Sequence, residues 1–104
     1  MKCDIPSNAI SIYGFGSYFK SIRIHRDIDV LLLHRDTSIA SCTFVLKCKQ
    51  ALMIAVPQIH VTMLSQSEEA SLGFISKANA REVGSICAEN FDSDIKRTAS
   101  KLSY

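Results

Sequence analysis

The segment "DIDVLLLH", residues 27–34, constrains the fold of this chain more than any other. Ile28, Val30, Leu31, Leu32 and Leu33 leave it no polar face. A short, near-continuous aliphatic run of this kind reads as a strand covered on both sides. A sheet that must be covered twice needs helices layered against it, so the expected class is α/β or α+β. The question the segment raises is why two carboxylates, Asp27 and Asp29, stand at the mouth of its most hydrophobic strand.

The neighbouring segments fit that class. "AISIYGF" (9–15) is β-branched and aromatic and ends before glycine, which predicts a strand. "GSYFKSIR" (16–23) predicts a short helix or turn launched from Gly16 and Ser17. Asp36, Thr37 and Ser38 offer N-cap side chains for a helix to about Ala55. Helical spacing there puts Ile39, Cys42, Val45, Leu46, Leu52 and Met53 on the core side, with Lys47, Lys49 and Gln50 wet. Pro57 stops the helix, and "QIHVTML" (58–64) alternates as a third strand. Ser65 and Glu68 stand at capping-box spacing at the start of a helix that runs through "AREV", with a break near Gly73. After Gly84 the pattern weakens, and the polar tail reads as a short helix, a frayed end or a docking segment. The expectation is one domain over residues 1–104, with its core at about 9–84 and a tail or docking segment at 85–104.

Composition removes several classes. An apolar content of 47% with 21% charged residues is that of a globular chain, not a disordered one. A net charge of +2 is too small to argue for nucleic acid. No run reaches the roughly 18–20 apolar residues of a membrane span. "MKCDIPSNAI" has no apolar signal region, so a cytoplasmic protein is expected. Cys3, Cys42, Cys48 and Cys87 form no CxxC pair, so reduced thiols are expected. A zinc site from Cys42, Cys48 and a histidine is the minor alternative. A domain of this length is marginal alone, which favours a partner chain or self-association.

The chemistry-bearing stretch is "GFGSYFKSIRIHRDIDVLLL". Residues two apart on a strand share a face, so Asp27 and Asp29 are expected to project together. Adjacent carboxylates repel unless a cation lies between them, and an oxygen-only pair suits Mg²⁺ with phosphate oxygens and water. Gly16 permits close backbone approach, and the Ser17 hydroxyl with the following N–H groups can hold phosphates. These parts describe a nucleoside triphosphate–Mg²⁺ site. The competing reading is a plain Gly-Ser turn and an Asp-x-Asp that only caps a strand.

This stretch resembles the signature of the nucleotidyltransferase superfamily related to DNA polymerase beta: Gly-Ser, a spacer, then acid, apolar residue, acid. It is most similar to the minimal nucleotidyltransferases of prokaryotic toxin–antitoxin and defence modules, which often accompany a HEPN-domain partner. The resemblance covers residues 9–34 and extends weakly to about 84. It implies a nucleotidyltransferase fold with a mixed central sheet flanked by helices. It implies that Gly16 and Ser17, with Lys20 beside them, bind the triphosphate and that Asp27 and Asp29 ligate Mg²⁺. The implied reaction is attack of a hydroxyl on the α-phosphate of a nucleoside triphosphate, with AMP transfer from ATP expected and a partner toxin as one acceptor.

The sequence leaves the family pattern in the third strand. The family places a third carboxylate there, and this chain has His60. A neutral imidazole can accept a proton but is a poor Mg²⁺ ligand beside oxygen donors. His34, which ends the second strand, is expected at the surface. A catalytically degenerate interaction module that neutralises a partner protein is therefore the alternative to an enzyme. Lys20, Arg23, Arg26 and Arg35 raise a weaker RNA-binding reading, without the aromatic residues that stack single strands.

Overall fold

The computed structural model describes residues 5–16 and 28–102. Their elements are β1 (Ala9–Phe15), β2 (Ile28–His34), α1 (Ile39–Ala55), β3 (Ile59–Ser65), α2 (Gln66–Leu72), α3 (Phe74–Lys77), β4 (Arg81–Cys87) and α4 (Phe91–Leu102). The strands form one sheet in the order β3-β2-β1-β4. β1 runs antiparallel to both neighbours, and β2 is parallel to β3 across the α1 connection. The protein is thus a mixed α/β fold with a four-stranded mixed sheet flanked by helices.

The expected burial of β2 on both faces is observed. Val30 and Leu32 pack into one core with Ile10 and Ile12 of β1, Ile59 of β3 and Ile86 of β4. Val45, Cys48 and Leu52 of α1 and Ile95 and Leu102 of α4 close that core. Leu31 and Leu33 point the other way and are buried as well. The α2–α3 segment lies over that second face, where Phe74 meets Phe15 edge to face at 5.0 Å.

Local chemistry sets the helix ends. The Ser38 hydroxyl accepts from Ser41 N and caps α1. The capping box is present: the Ser65 hydroxyl accepts from Glu68 N, and the Glu68 carboxylate accepts from Ser65 N. Such a cap contributes about 1 kcal/mol. Gly73 ends α2 in the left-handed conformation, φ 64°.

Four expectations need correction. Residues 81–83, assigned by the sequence to a continuing helix, begin β4, which pairs with β1 from Ala9↔Cys87 to Gly14↔Arg81. The core does not stop at about residue 84: β4 completes the sheet through Cys87, and the polar tail forms the short helix among its expected readings, α4, which buries Ile95, Thr98 and Leu102 in the core. On α1, Ile39, Leu46 and Met53 are 86%, 46% and 47% exposed instead of facing the core. Finally, His34 is buried, with Nδ1 3.1 Å from the Ser41 hydroxyl.

Asp94 ties α4 to β4. Its carboxylate accepts from Cys87 N at 3.0 Å and from the Arg97 guanidinium at 2.6 Å while only 5% exposed. The Cys87 N–H, and then Arg97, hold the carboxyl below its ordinary range against the opposing effect of burial. A lowered folded-state value means stability present above the unfolded value of about 3.9 and lost as pH falls through and below it. Asp94→Asn should therefore melt below the wild type at neutral pH, and the gap should close towards about pH 3. Thermal unfolding across that range checks this; a gap that does not change with pH would show that the charge contributes nothing.

Candidate functional site

The ends of β1 and β2 meet at Gly16 and Asp29. Gly16 follows β1 with φ +61°, in the left-handed region that side chains avoid. A Cβ built there would lie 2.6 Å from Asp29 Oδ2. Glycine is thus required twice, by backbone conformation and by the carboxylate packed against it. Asp29 is half-buried, between Ile28 and Val30, which face the opposite core.

Asp29 pairs with Phe15 of β1 on one side and with His60 of β3 on the other. Register partners point to the same face, and neighbouring strands lie about 4.8 Å apart. The His60 imidazole is therefore the lateral neighbour of the Asp29 carboxylate, on the face away from α1 and α4. His60 itself is exposed. His60, the third-strand residue singled out by the sequence, thus occupies the strand position beside Asp29. Ser17, Lys20 and Asp27 lie outside the described residues, as does the expectation that Asp27 shares the face of Asp29.

The acids nearest in sequence, Glu68 and Glu69, do not reach His60. Glu68 accepts from Ser65 N and Glu69 accepts from Ile75 N, each at 2.8 Å. Both are committed to backbone groups at or beyond the far end of β3, which lies about 16 Å along the strand from His60 at roughly 3.3 Å per residue. Among the described residues, no group of three His, Cys, Asp or Glu side chains could hold a metal ion. Cys48, named in the zinc alternative, is fully buried in the hydrophobic core, where burial pushes its thiol up to about 12. Cys42, Cys48 and Cys87 are free cysteines.

The sequence did not reveal a cavity farther along the same sheet face. It has a volume of about 490 Å³, between Ser11, Tyr13 and Leu33 of the sheet and Gln66, Glu69 and Ile75 of the α2–α3 segment. Burial raises the Tyr13 phenol above its ordinary value, and the negative charges of Glu82 and Glu69 raise it further. This negative field disfavours a phosphate group in the cavity. The available signal was the alternation of Ser11 and Tyr13 with buried Ile10 and Ile12, which sets polar atoms on one face.

Among the described residues, no helix is long and apolar enough to cross a membrane. Compared with known proteins, the chain matches no family model, no curated protein and no solved structure.

Proposed function

We propose that this chain is a minimal nucleotidyltransferase-type domain that binds a nucleoside triphosphate, ATP in the first instance, with Mg²⁺ at the Gly16–Asp29 end of its sheet. The observation that carries the reading is the contact between the Gly16 turn and the Asp29 carboxylate. A left-handed glycine gives phosphate oxygens close access to backbone, next to a carboxylate on a sheet face. The donor set fits one Mg²⁺: a carboxylate oxygen, with phosphate oxygens and water making up the rest of the shell. When bound, the ion would neutralise charge on the phosphates.

The chain's own residues define the chemistry on this reading. The oxygen of an acceptor hydroxyl bonds to the α-phosphorus, and the bond to the bridging oxygen breaks, so pyrophosphate leaves. The hydroxyl proton passes to a base, and the His60 imidazole beside Asp29 is the described candidate. The acceptor of choice is a hydroxyl side chain on a partner protein, such as a HEPN-type toxin. His60 also favours the second reading, because a histidine in place of a carboxylate weakens a second metal position. On that reading the domain binds nucleotide and neutralises its partner by occlusion.

Calorimetry of ATP with and without Mg²⁺ tests the site. Wild type should bind more tightly with Mg²⁺, and Asp29→Asn should lose that gain while its circular dichroism is unchanged. Equal affinities in both proteins would remove the site. Labelled-ATP transfer to a co-purified partner then separates the two readings. Faster transfer by His60→Asp than by wild type marks a weakened enzyme; transfer by neither protein leaves the interaction module.

A further inference from the structure

The two edges of the sheet are finished differently. β4 carries charged Arg81 and Glu82, and its pairing with β1 is interrupted by a register shift between Ile12 and Tyr13. Side chains of α4 take up its backbone groups: Lys101 Nζ donates to Val83 O at 3.0 Å, and Asp94 accepts from Cys87 N at 3.0 Å. Charge, a bulge and covering side chains are the usual means of blocking an edge against further pairing.

β3 carries no charged side chain, and its pairing with β2 has no register shift. "IHVTMLS" contains no Lys, Arg, Asp, Glu, Pro or Gly, and among the described residues no strand pairs with its outer side. The helix beside it is equally unprotected. One flank of α1 is covered by α4, where Phe44 and Phe91 are 6.2 Å apart and Lys47 Nζ lies 4.5 Å from the Phe91 ring. The opposite flank carries Ile39, Leu46 and Met53, all exposed, at intervals of seven residues. That spacing makes a stripe nearly parallel to the helix axis. Leu46 and Cys42 line a groove of about 240 Å³ with Met63 of β3. The apolar helix flank and the open strand edge are therefore one surface.

We propose that this α1–β3 surface is the interface of a two-fold symmetric homodimer. The occupant is a second copy because the surface is self-complementary. A two-fold axis makes neighbouring helices and neighbouring strands antiparallel. On α1 this sets Ile39 against Met53 of the other copy and Leu46 against Leu46. On β3 it centres the pairing at Thr62. Leu46, the middle of the helix stripe, and Met63, next to the middle of the strand, line one groove, so a single axis can serve both. Neither strand nor stripe carries a like charge that pairing would bring face to face. The charges beside the surface are opposite: half-buried Lys49 lies toward the end of α1, and Glu68 of α2, which lines the groove with Leu46 and Met63, follows the far end of β3. The same axis brings the Lys49 end of one copy beside the Glu68 end of the other. The face is large enough. A 17-residue helix is about 25 Å long, and helix plus sheet edge are about 20 Å wide. Two such faces bury about 1,000 Å², where specific association begins.

Sedimentation of the full chain at concentrations up to the hundred-micromolar range tests the proposal. Wild type should form dimers in reversible exchange with monomers. Leu46→Glu should weaken association about a hundredfold or more, since two carboxylates would meet on the axis. Leu72→Glu, at an apolar residue 51% exposed elsewhere, should leave it unchanged. Leu46→Cys gives a readout that does not depend on how the glutamate variant folds. Under mild oxidation it should yield a covalent dimer that wild type and Leu72→Cys do not. A wild type that stays monomeric throughout, or a Leu46→Cys protein that cross-links no more than wild type, overturns the proposal.

Discussion

A chain ended at Asn90 should fail to fold. It would keep every strand and lose only α4, the segment whose polar sequence reads as dispensable. Yet Ile95 and Leu102 are 8% and 1% exposed, and they close the core over Ile10 and Ile86. Burying two aliphatic side chains is worth about 3–6 kcal/mol in area alone. Removing the helix also exposes the strand residues beneath it and deprives Cys87 N of the Asp94 carboxylate. Against a total stability of about 5–15 kcal/mol for an ordinary domain, that loss is decisive. Circular dichroism and limited proteolysis of the shortened chain check it. Leu102→Ala is the graded version, with an expected loss of about 2–5 kcal/mol in chemical unfolding. A shortened chain with a cooperative melt would show that the α4 side of the core is not needed.

The second large effect separates conformation from contact. Gly16 and Gly73 have nearly the same backbone, φ +61° and +64°. Alanine at either position carries the left-handed penalty of about 1–2 kcal/mol. At Gly73 the new Cβ meets nothing closer than the Lys77 side chain at 3.9 Å. At Gly16 it meets Asp29 Oδ2 at 2.6 Å, so the carboxylate must move. On the proposed function, Gly73→Ala should therefore lower stability and leave Mg²⁺–ATP affinity alone. Gly16→Ala should lower both, with affinity falling at least about tenfold, or about 1.4 kcal/mol. Paired calorimetry and thermal unfolding of the two variants read this directly. Equal affinity losses would mean that strain, not the displaced carboxylate, is responsible.

Legibility in the sequence followed the strength of local patterns. The expected strand at 9–15 is β1, that at 27–34 is β2 over its described residues, and that at 58–64 is β3 displaced by one residue at each end. Their alternating or unbroken aliphatic content leaves no competing reading. Ser65, Glu68 and Gly73 announced α2 because caps are local chemistry. β4 was hidden because Arg81, Glu82, Gly84 and Ser85 have little strand preference, and pairing with β1 makes the strand. In α4 the helical spacing of Phe91, Ile95, Thr98 and Leu102 was present but diluted by polar neighbours. α1 failed in the opposite way: apolar residues surround it, so periodicity could not tell the Val45–Leu52 face from the Leu46–Met53 face. At the site, the third-strand reading put His60 in the right element. Its register with Asp29 and the close approach of Gly16 are tertiary facts that spacing does not encode.

The sheet order also imposes a schedule. β2 and β3 are joined through α1, whereas β1 must wait for β4, about seventy residues later, before both its sides are paired. Closing so long a loop costs little more in equilibrium free energy than closing one half its length, but it delays the contact. At roughly 5–20 residues per second, a ribosome needs several seconds to supply β4 and α4 after β1. During that interval Ile10 and Ile12 lack the cover that Ile86 and Leu102 later provide. The nascent chain therefore passes through an aggregation-prone window that ends only with its last helix. Stalled chains released before α4 should partition into the pellet, and those released after it should remain in solution.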